Sequence, residues 1–203
     1  MRALIYKSKN KLAFVNLPKP KIGPNDVLLK MKSVGICGTD LHIYRGGTDV
    51  KPGTVIGHEF AGEIAAVGTH VAGLSVGMRA VAEHVLSCGK CYYCLRGKPN
   101  LCVKAEVYGL TRPGALQEYM AIPAAMVYQF PKNLSFEEAA LIEPLTIALF
   151  ATSAGGFLLE KKVAVVGQGP IGILLDQVRK AAGAHVIGID VLAPRLYFVK
   201  EKE

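Results

Sequence analysis

The chain of 203 residues is 51% hydrophobic and 20% charged, a balance that supports one large or two modest packed domains and excludes intrinsic disorder. No run reaches the roughly 18 uncharged apolar residues of a membrane-spanning helix, and charge interrupts the N-terminal MRALIYKSKNKL before a signal-peptide core can form, so the expected compartment is the cytoplasm. The net charge is +8, yet the densest basic groups (Lys7, Lys9, Lys11; Lys19, Lys21; Lys161, Lys162) are short and lack interleaved aromatics, which points to a solvated surface and to no nucleic-acid or membrane partner.

Up to about residue 130 the chain reads as short β-branched strands, AFVNL, DVLLKMKSVGI, EIAAVG, RAVAEHVL and EYMAI, cut by turns rich in Gly, Pro and Asn. That is the pattern of an all-β barrel or sandwich without internal repeats. The character changes at Asn133-Leu134-Ser135-Phe136-Glu137-Glu138, where Ser135 and Glu138 have capping-box spacing and predict a helix start. A longer helix is predicted from Pro144 to Ala154, stopped by Gly155-Gly156. A strand from Lys162 to Gly167, a helix from Pro170 to Ala182 and a strand from Ala184 to Asp190 then make a βαβ unit. The expected division is residues 1–153 and 154–203.

Four of the five cysteines crowd into Cys88-x2-Cys91-x2-Cys94-x7-Cys102. In a chain without a secretory signal this crowding favours metal over disulfides. Tetrahedral Zn²⁺ takes four thiolates, and each Cys-x2-Cys turn presents two sulfurs to one point. A ferredoxin-type iron–sulfur run would place its fourth cysteine at a different spacing. A nucleic-acid finger would supply a helix with its ligands, whereas strand-like sequence flanks this loop. The expectation is a structural zinc lobe over residues 88–102.

The fifth cysteine, Cys37, lies in Gly35-Ile-Cys-Gly-Thr-Asp-Leu-His42, followed by Gly57-His58-Glu59 and, much later, by Glu143 before Pro144. Cys37, His58 and a carboxylate could converge on a second metal with three protein ligands and an open position, as catalytic zinc requires. Taken singly, a buried cysteine is more often a small hydrophobe and a histidine a hydrogen-bonded residue.

Further on, Val163-Ala-Val-Val-Gly167-Gln-Gly169-Pro170-Ile171-Gly172 is a strand, a G-x-G-x-x-G turn and a helix start. Asp190 ends the next strand at the separation expected for a ribose-binding acid. The glycines allow a tight turn and close approach of a pyrophosphate to the helix N-terminus. Asp190 can accept from a ribose 2′-hydroxyl and would repel a 2′-phosphate, so NAD is favoured over NADP.

CGTDLH, GHEFAGEIAAVG, the four-cysteine lobe and the glycine fingerprint, in that order, resemble the zinc-containing medium-chain alcohol dehydrogenases. With Glu59 directly after His58 and Glu-Pro-Leu at 143–145, the chain looks most like the branch of sorbitol, sugar-alcohol-phosphate and threonine dehydrogenases. The resemblance runs from Leu4 to the end. It implies an α/β fold with a large all-β part: a GroES-like β-barrel catalytic domain followed by an incomplete Rossmann (doubly wound) βαβ. It further implies two zinc ions, one structural and one catalytic, with Cys37, His58 and Glu59 as catalytic ligands. Glu143 is then either a ligand or hydrogen-bonded to the zinc-bound water. Thr39 and His42 stand where the family's proton relay sits. NAD is the implied cofactor, bound by Gly167, Gly169, Pro170, Ile171, Gly172, Asp190 and Arg195. The implied reaction moves a hydride from a secondary alcohol or polyol to NAD through a zinc-bound alkoxide, in a family whose full-length members are homo-oligomers.

Family members are longer. The chain stops at Glu203, in what should be the second helix of the nucleotide domain, with the nicotinamide side still to come, so either the chain is a fragment or shortened reading frame, or something else covers the apolar faces of its two strands. Phe150 stands where related Glu-Pro-Leu sequences often carry histidine, and no role attaches to it. The alternative reading is a non-catalytic zinc-binding GroES-like module that has lost turnover.

Overall fold

The computed structural model describes residues 1–200, and the chain forms two compact units, Met1–Leu141 and Ile142–Glu203. In the first, β1 (Arg2–Ser8) and β2 (Lys11–Asn16) form an antiparallel hairpin. It turns through Asn10, whose φ of 58° is one that asparagine tolerates better than most residues. Next come β3 (Asp26–Gly35), helix α1 (Gly38–Tyr44) and β4 (Glu59–Val67). These are followed by β5 (Arg79–Ala82), β6 (Val85–Leu86), β7 (Glu106–Val107), β8 (Tyr119–Pro123), β9 (Val127–Gln129) and the short helix α2 (Phe136–Ala140).

A five-stranded antiparallel sheet in the order β8-β3-β4-β5-β9 carries the core. Val27 and Leu29 of β3, Ile64 of β4 and Met120 and Ile122 of β8 are all buried in one cluster. The intervening Leu28 is buried too, as a central strand covered on both faces requires, and α2 packs against β3 and β4. The start of α2 is fixed as its sequence predicts. Ser135 Oγ accepts from Glu138 N at 3.1 Å, and Glu138 Oε2 accepts from Ser135 N at 2.7 Å.

Three distant segments meet at Gly57, two by main chain and one through a side chain. Its N–H donates to Asp40 Oδ1 at 3.1 Å, and its carbonyl accepts from Ala115 N at 2.8 Å. A Cβ on Gly109 would sit 2.8 Å from the Gly57 oxygen, and one on Gly114 would run into the same atom. Gly57 itself has φ 92°, a conformation side chains rarely adopt.

The second unit contains α3 (Ile142–Ala154), β10 (Lys162–Val166), α4 (Pro170–Ala181), β11 (His185–Ile189) and α5 (Ala193–Lys200). Strands β10 and β11 are parallel, in register from Lys162 with His185 to Val166 with Ile189. Helix α3 packs along α4, so the division between units falls at Leu141/Ile142, ahead of the residue 153 read from sequence.

Two further differences from the sequence reading bear on function. A helix, α1, interrupts the stretch read as all strand. The run RAVAEHVL, read as one strand, is two: β5 pairs with β9, and after Glu83-His84 β6 pairs with β7. Among the described residues no helix is long and apolar enough to cross a membrane.

Because Ile64 is fully buried at the centre of the sheet, Ile64→Ala should destabilise the first unit by about 2–5 kcal/mol. The denaturant midpoint followed by circular dichroism measures this.

Candidate active site

Two groups of metal-ligating side chains form within the first unit. In each, one ligand atom per residue lies within 4.8 Å of all the others: Cys88, Cys91, Cys94 and Cys102 in one, Cys37, His58 and Glu59 in the other. All five cysteines are free of disulfides.

The cysteine lobe hangs between β6 and β7, and turns of 3-10 helix at Cys94–Arg96 and Pro99–Leu101 fold it back on itself. Main-chain N–H groups point at the sulfurs, with Cys88 N donating to Cys102 Sγ at 3.3 Å. The N–H of Cys94 is the largest influence drawing the Cys91 thiol down to about 6. Burial, and then the Cys91 sulfur 3.5 Å away, push Cys94 up to about 11. Thiols compressed this closely, with one already favouring the thiolate, suit a soft divalent cation.

In the second group, Cys37 is the N-cap of α1, Thr39 lies in its first turn and His42 near its end. His58 and Glu59, at the head of β4, are buried. Gly35 leaves room for Glu59, because a Cβ there would run into the Glu59 carboxylate. His58 Nδ1 is buried without a hydrogen-bond partner among the described residues. Such an atom is costly to leave dry, and in this three-residue group it is available to a metal ion. Burial pushes the Cys37 thiol up against the opposing pull of Thr39, whose Oγ1 accepts from Cys37 Sγ at 3.7 Å. His42 is exposed.

Sequence reasoning assigned nothing to two residues here. Asp40, only 3% exposed, accepts from Cys37 N at 2.9 Å as well as from Gly57 N; its signal was an acid three residues after the N-cap. His84 stacks obliquely on His58 with ring centroids 5.1 Å apart. Burial, and then the His58 imidazole, lower its pKa to about 4, so it is neutral at physiological pH.

The remaining candidates belong to the second unit. Glu143 is in the first turn of α3. Around the glycine loop, Gly167 has φ 99°, and a Cβ on Gly172 would run into the Gly167 carbonyl. Gly169 is neither strained nor crowded: at φ −81° it caps α4, and a Cβ there would meet nothing nearer than Arg195 Nη1 at 4.0 Å. The open ground beside it is a cleft of about 270 Å³ lined by Gln168, Gly169, Pro170, Ile173, Pro194 and Arg195. Ile171 follows Pro170 in the first turn of α4. Asp190, 3% exposed at its side chain, accepts from Gln168 N at 2.7 Å, Leu192 N at 2.8 Å and Arg195 Nη1 at 3.2 Å. The two main-chain N–H groups, followed by Arg195, hold its carboxyl below the usual carboxylate range.

Residues 23–132 match the family model of the alcohol dehydrogenase GroES-like domain. An L-threonine 3-dehydrogenase of Bacillus licheniformis is 42% identical over 196 residues, which cover 94% of this chain and 56% of that protein. The structure of the alcohol dehydrogenase rspB from Escherichia coli CFT073, complexed with NADH, superposes with a TM-score of 0.93 at 39% identity, covering 99% of this chain and 60% of that one. A Sinorhizobium meliloti 1021 protein, bound to NADP and described as a zinc-binding dehydrogenase, gives a TM-score of 0.94 at 32% identity, covering 98% and 59%. The chain thus spans less than two thirds of the length of these relatives.

Two measurements test this geometry. Zinc affinity of the lobe should fall at least about tenfold per pH unit on acidification from pH 8, because Cys94 must release its proton to bind. The fall should steepen below about pH 6 as Cys91 also takes a proton; competition with a chromogenic chelator reads it directly. Gly169→Ala should move stability by no more than about 1 kcal/mol yet weaken NAD binding about tenfold or more, whereas Gly172→Ala should destabilise the second unit outright. Paired melting and calorimetric titration separate the two effects.

Proposed function

This chain belongs to the zinc-containing medium-chain alcohol dehydrogenases, and on that premise we propose that it serves NAD-dependent oxidation of a secondary alcohol or polyol. The observation that carries the reading is the second ligand group. Cys37, His58 and Glu59 share no residue with the four-cysteine lobe, and they number three, as a catalytic zinc with an open position requires.

In this reading the lobe holds a structural zinc, and Cys37, His58 and Glu59 hold the catalytic one. Glu143, which the resemblance offers as a further ligand or hydrogen-bond acceptor, lies in the first turn of α3. When bound, zinc supplies a Lewis acid that lets an alcohol ionise near neutral pH, and NAD supplies the acceptor for the hydride. Thr39 Oγ1, within reach of the Cys37 sulfur, takes the hydroxyl proton. His42, exposed on α1, hands it to solvent, since an imidazole exchanges protons readily near neutrality. His84, uncharged beside His58, adds no positive charge to repel the metal.

The cleft at Gly169 and Pro170 receives the pyrophosphate at the N-terminus of α4, with Gly167, Ile171 and Gly172 shaping the turn and Asp190 and Arg195 on the ribose side. Asp190 favours NAD over NADP. The relatives named for L-threonine make a 3-hydroxy amino acid the first substrate to assay, beside polyols.

Purified protein is expected to contain two zinc ions per chain. Cys37→Ser should lose one of them and keep the lobe's. One zinc or none in the unmodified chain, or loss of both from Cys37→Ser, overturns the assignment of sites. NADH formation from L-threonine or a polyol, abolished in Cys37→Ser, is the expected result of the activity assay once the chain is extended by the remaining nucleotide-domain strands of a relative, with turnover of the 203 residues alone lower by orders of magnitude. Two zincs and bound NAD without NADH from any alcohol would instead identify a zinc-binding module without turnover.

A further inference from the structure

We propose that Arg195 makes the cleft beside Gly169 accept a ribose 2′-phosphate, so that the chain binds NADP within about tenfold of NAD. The assignment rests on reading the glycine turn as a dinucleotide site. It leaves NAD the preferred cofactor and bounds the margin that Asp190 provides.

In a turn of this kind an acid at the end of the second strand takes the ribose 2′-hydroxyl, whereas a nearby arginine accommodates a 2′-phosphate. Here both residues are present and they are paired. Arg195 Nη1 donates to Asp190 Oδ2 at 3.2 Å. The same oxygen accepts from Gln168 N at 2.7 Å, and Oδ1 accepts from Leu192 N at 2.8 Å. Asp190 therefore serves three donors within the chain itself, and its side chain is only 3% exposed.

The order of the two charges, from inside outward, decides what an incoming phosphate meets. The carboxylate lies inside, and the arginine side chain over it is 49% exposed and lines the cleft with Gln168, Gly169 and Pro170. A 2′-phosphate thus encounters the positive member of the pair first, and the acid behind it is offset by a counter-charge in direct contact. Arg195 also reaches toward the turn, since a Cβ on Gly169 would lie 4.0 Å from Nη1. A guanidinium offers five N–H donors in a planar fork that matches phosphate. The bond to Asp190 engages one of them, so a phosphate can be gripped without releasing the acid. The 2′-hydroxyl of NAD, for its part, must share an acid that already serves three donors, which narrows its advantage.

Calorimetric titration of the 203-residue chain with NAD and with NADP is the test. NADP should bind with a dissociation constant no more than about tenfold above that of NAD. Arg195→Leu removes the guanidinium and should widen that ratio at least about fivefold, because the charge-assisted bonds to the 2′-phosphate are lost from NADP alone. Arg195→Lys keeps a point charge without the fork and should recover part of the loss. A merely structural role for Arg195 would weaken both nucleotides together and leave the ratio where it was.

Two results overturn the proposal: NADP weaker than NAD by more than about tenfold in the unmodified chain, or a ratio that widens by less than about fivefold in Arg195→Leu. If Arg195→Leu does not fold, Arg195→Gln decides on the same ratio. Binding of NAD without NADP refutes the role of Arg195 and leaves the dinucleotide site standing. Binding of neither nucleotide refutes that site, and the proposal falls with it.

Discussion

The first unit depends on how closely its backbone can approach itself at Gly57. Two glycines, a buried carboxylate and the Ala115 amide surround Gly57, and each contact excludes a side chain or satisfies a polar group. The strands of the sheet are joined by regular main-chain ladders, whereas outside the sheet side chains usually keep backbones apart. Gly57 carries no side chain, so the segment before His58 and the 109–115 loop meet main chain to main chain, and α1 joins them through the Asp40 carboxylate. Hydrogen bonds of fixed length then replace adaptable packing, and a metal-ligand group needs that intolerance of displacement. The placement of Cys37 and of the segment before His58 is thus tied to one residue, Gly57.

The second unit solves a related problem with different material. The strand-to-helix turn requires close contact between β10 and α4, which Gly167 and Gly172 permit. Beneath it Gln168 is buried at 1% exposure, with Nε2 donating to Val165 O at 3.2 Å. The neighbouring strand makes room for that amide with Gly188, whose Cβ would lie 2.8 Å from it. Asp190 closes the arrangement by accepting the Gln168 N–H. The turn is therefore fixed from below by polar contacts and left open above, at Gly169, where the chain itself has no use for the space.

Features governed by local spacing were legible in the sequence. The Ser135–Glu138 box, the clustered cysteines and the glycine fingerprint are each contained in a few consecutive residues, and each lies where that spacing requires. What escaped was decided at a distance. Helix α1 was hidden because Gly38 and Thr39 are poor helix formers and because it is held by Asp40 reaching Gly57. The split of RAVAEHVL at Glu83-His84 arises because Glu83 N turns to Met126 O while the His84 carbonyl turns to Tyr108 N, two partners invisible in the run itself. His84 comes to lie beside His58 through that change of partner. The grouping of α3 with the second unit was hidden for another reason. IEPLTIALFATSA is apolar on every side, so no stripe indicated which unit it faces, and packing on α4 decided it.

The neck of the cysteine lobe has a meaning for descent. Val85 and Leu86 pair with Val107 and Glu106, so the loop leaves and rejoins the body through two strands already fastened to each other. Once the ends of a loop are joined, adding or removing residues between them changes the closure entropy only slowly, and the sheet registers the change hardly at all. The loop can therefore be lengthened, shortened or reshaped, or lose its ligands, without moving the Cys37–His58–Glu59 group, which shares no residue with it. In comparisons of distant homologues, divergence around residues 88–102 is accordingly a poor guide to divergence of chemistry.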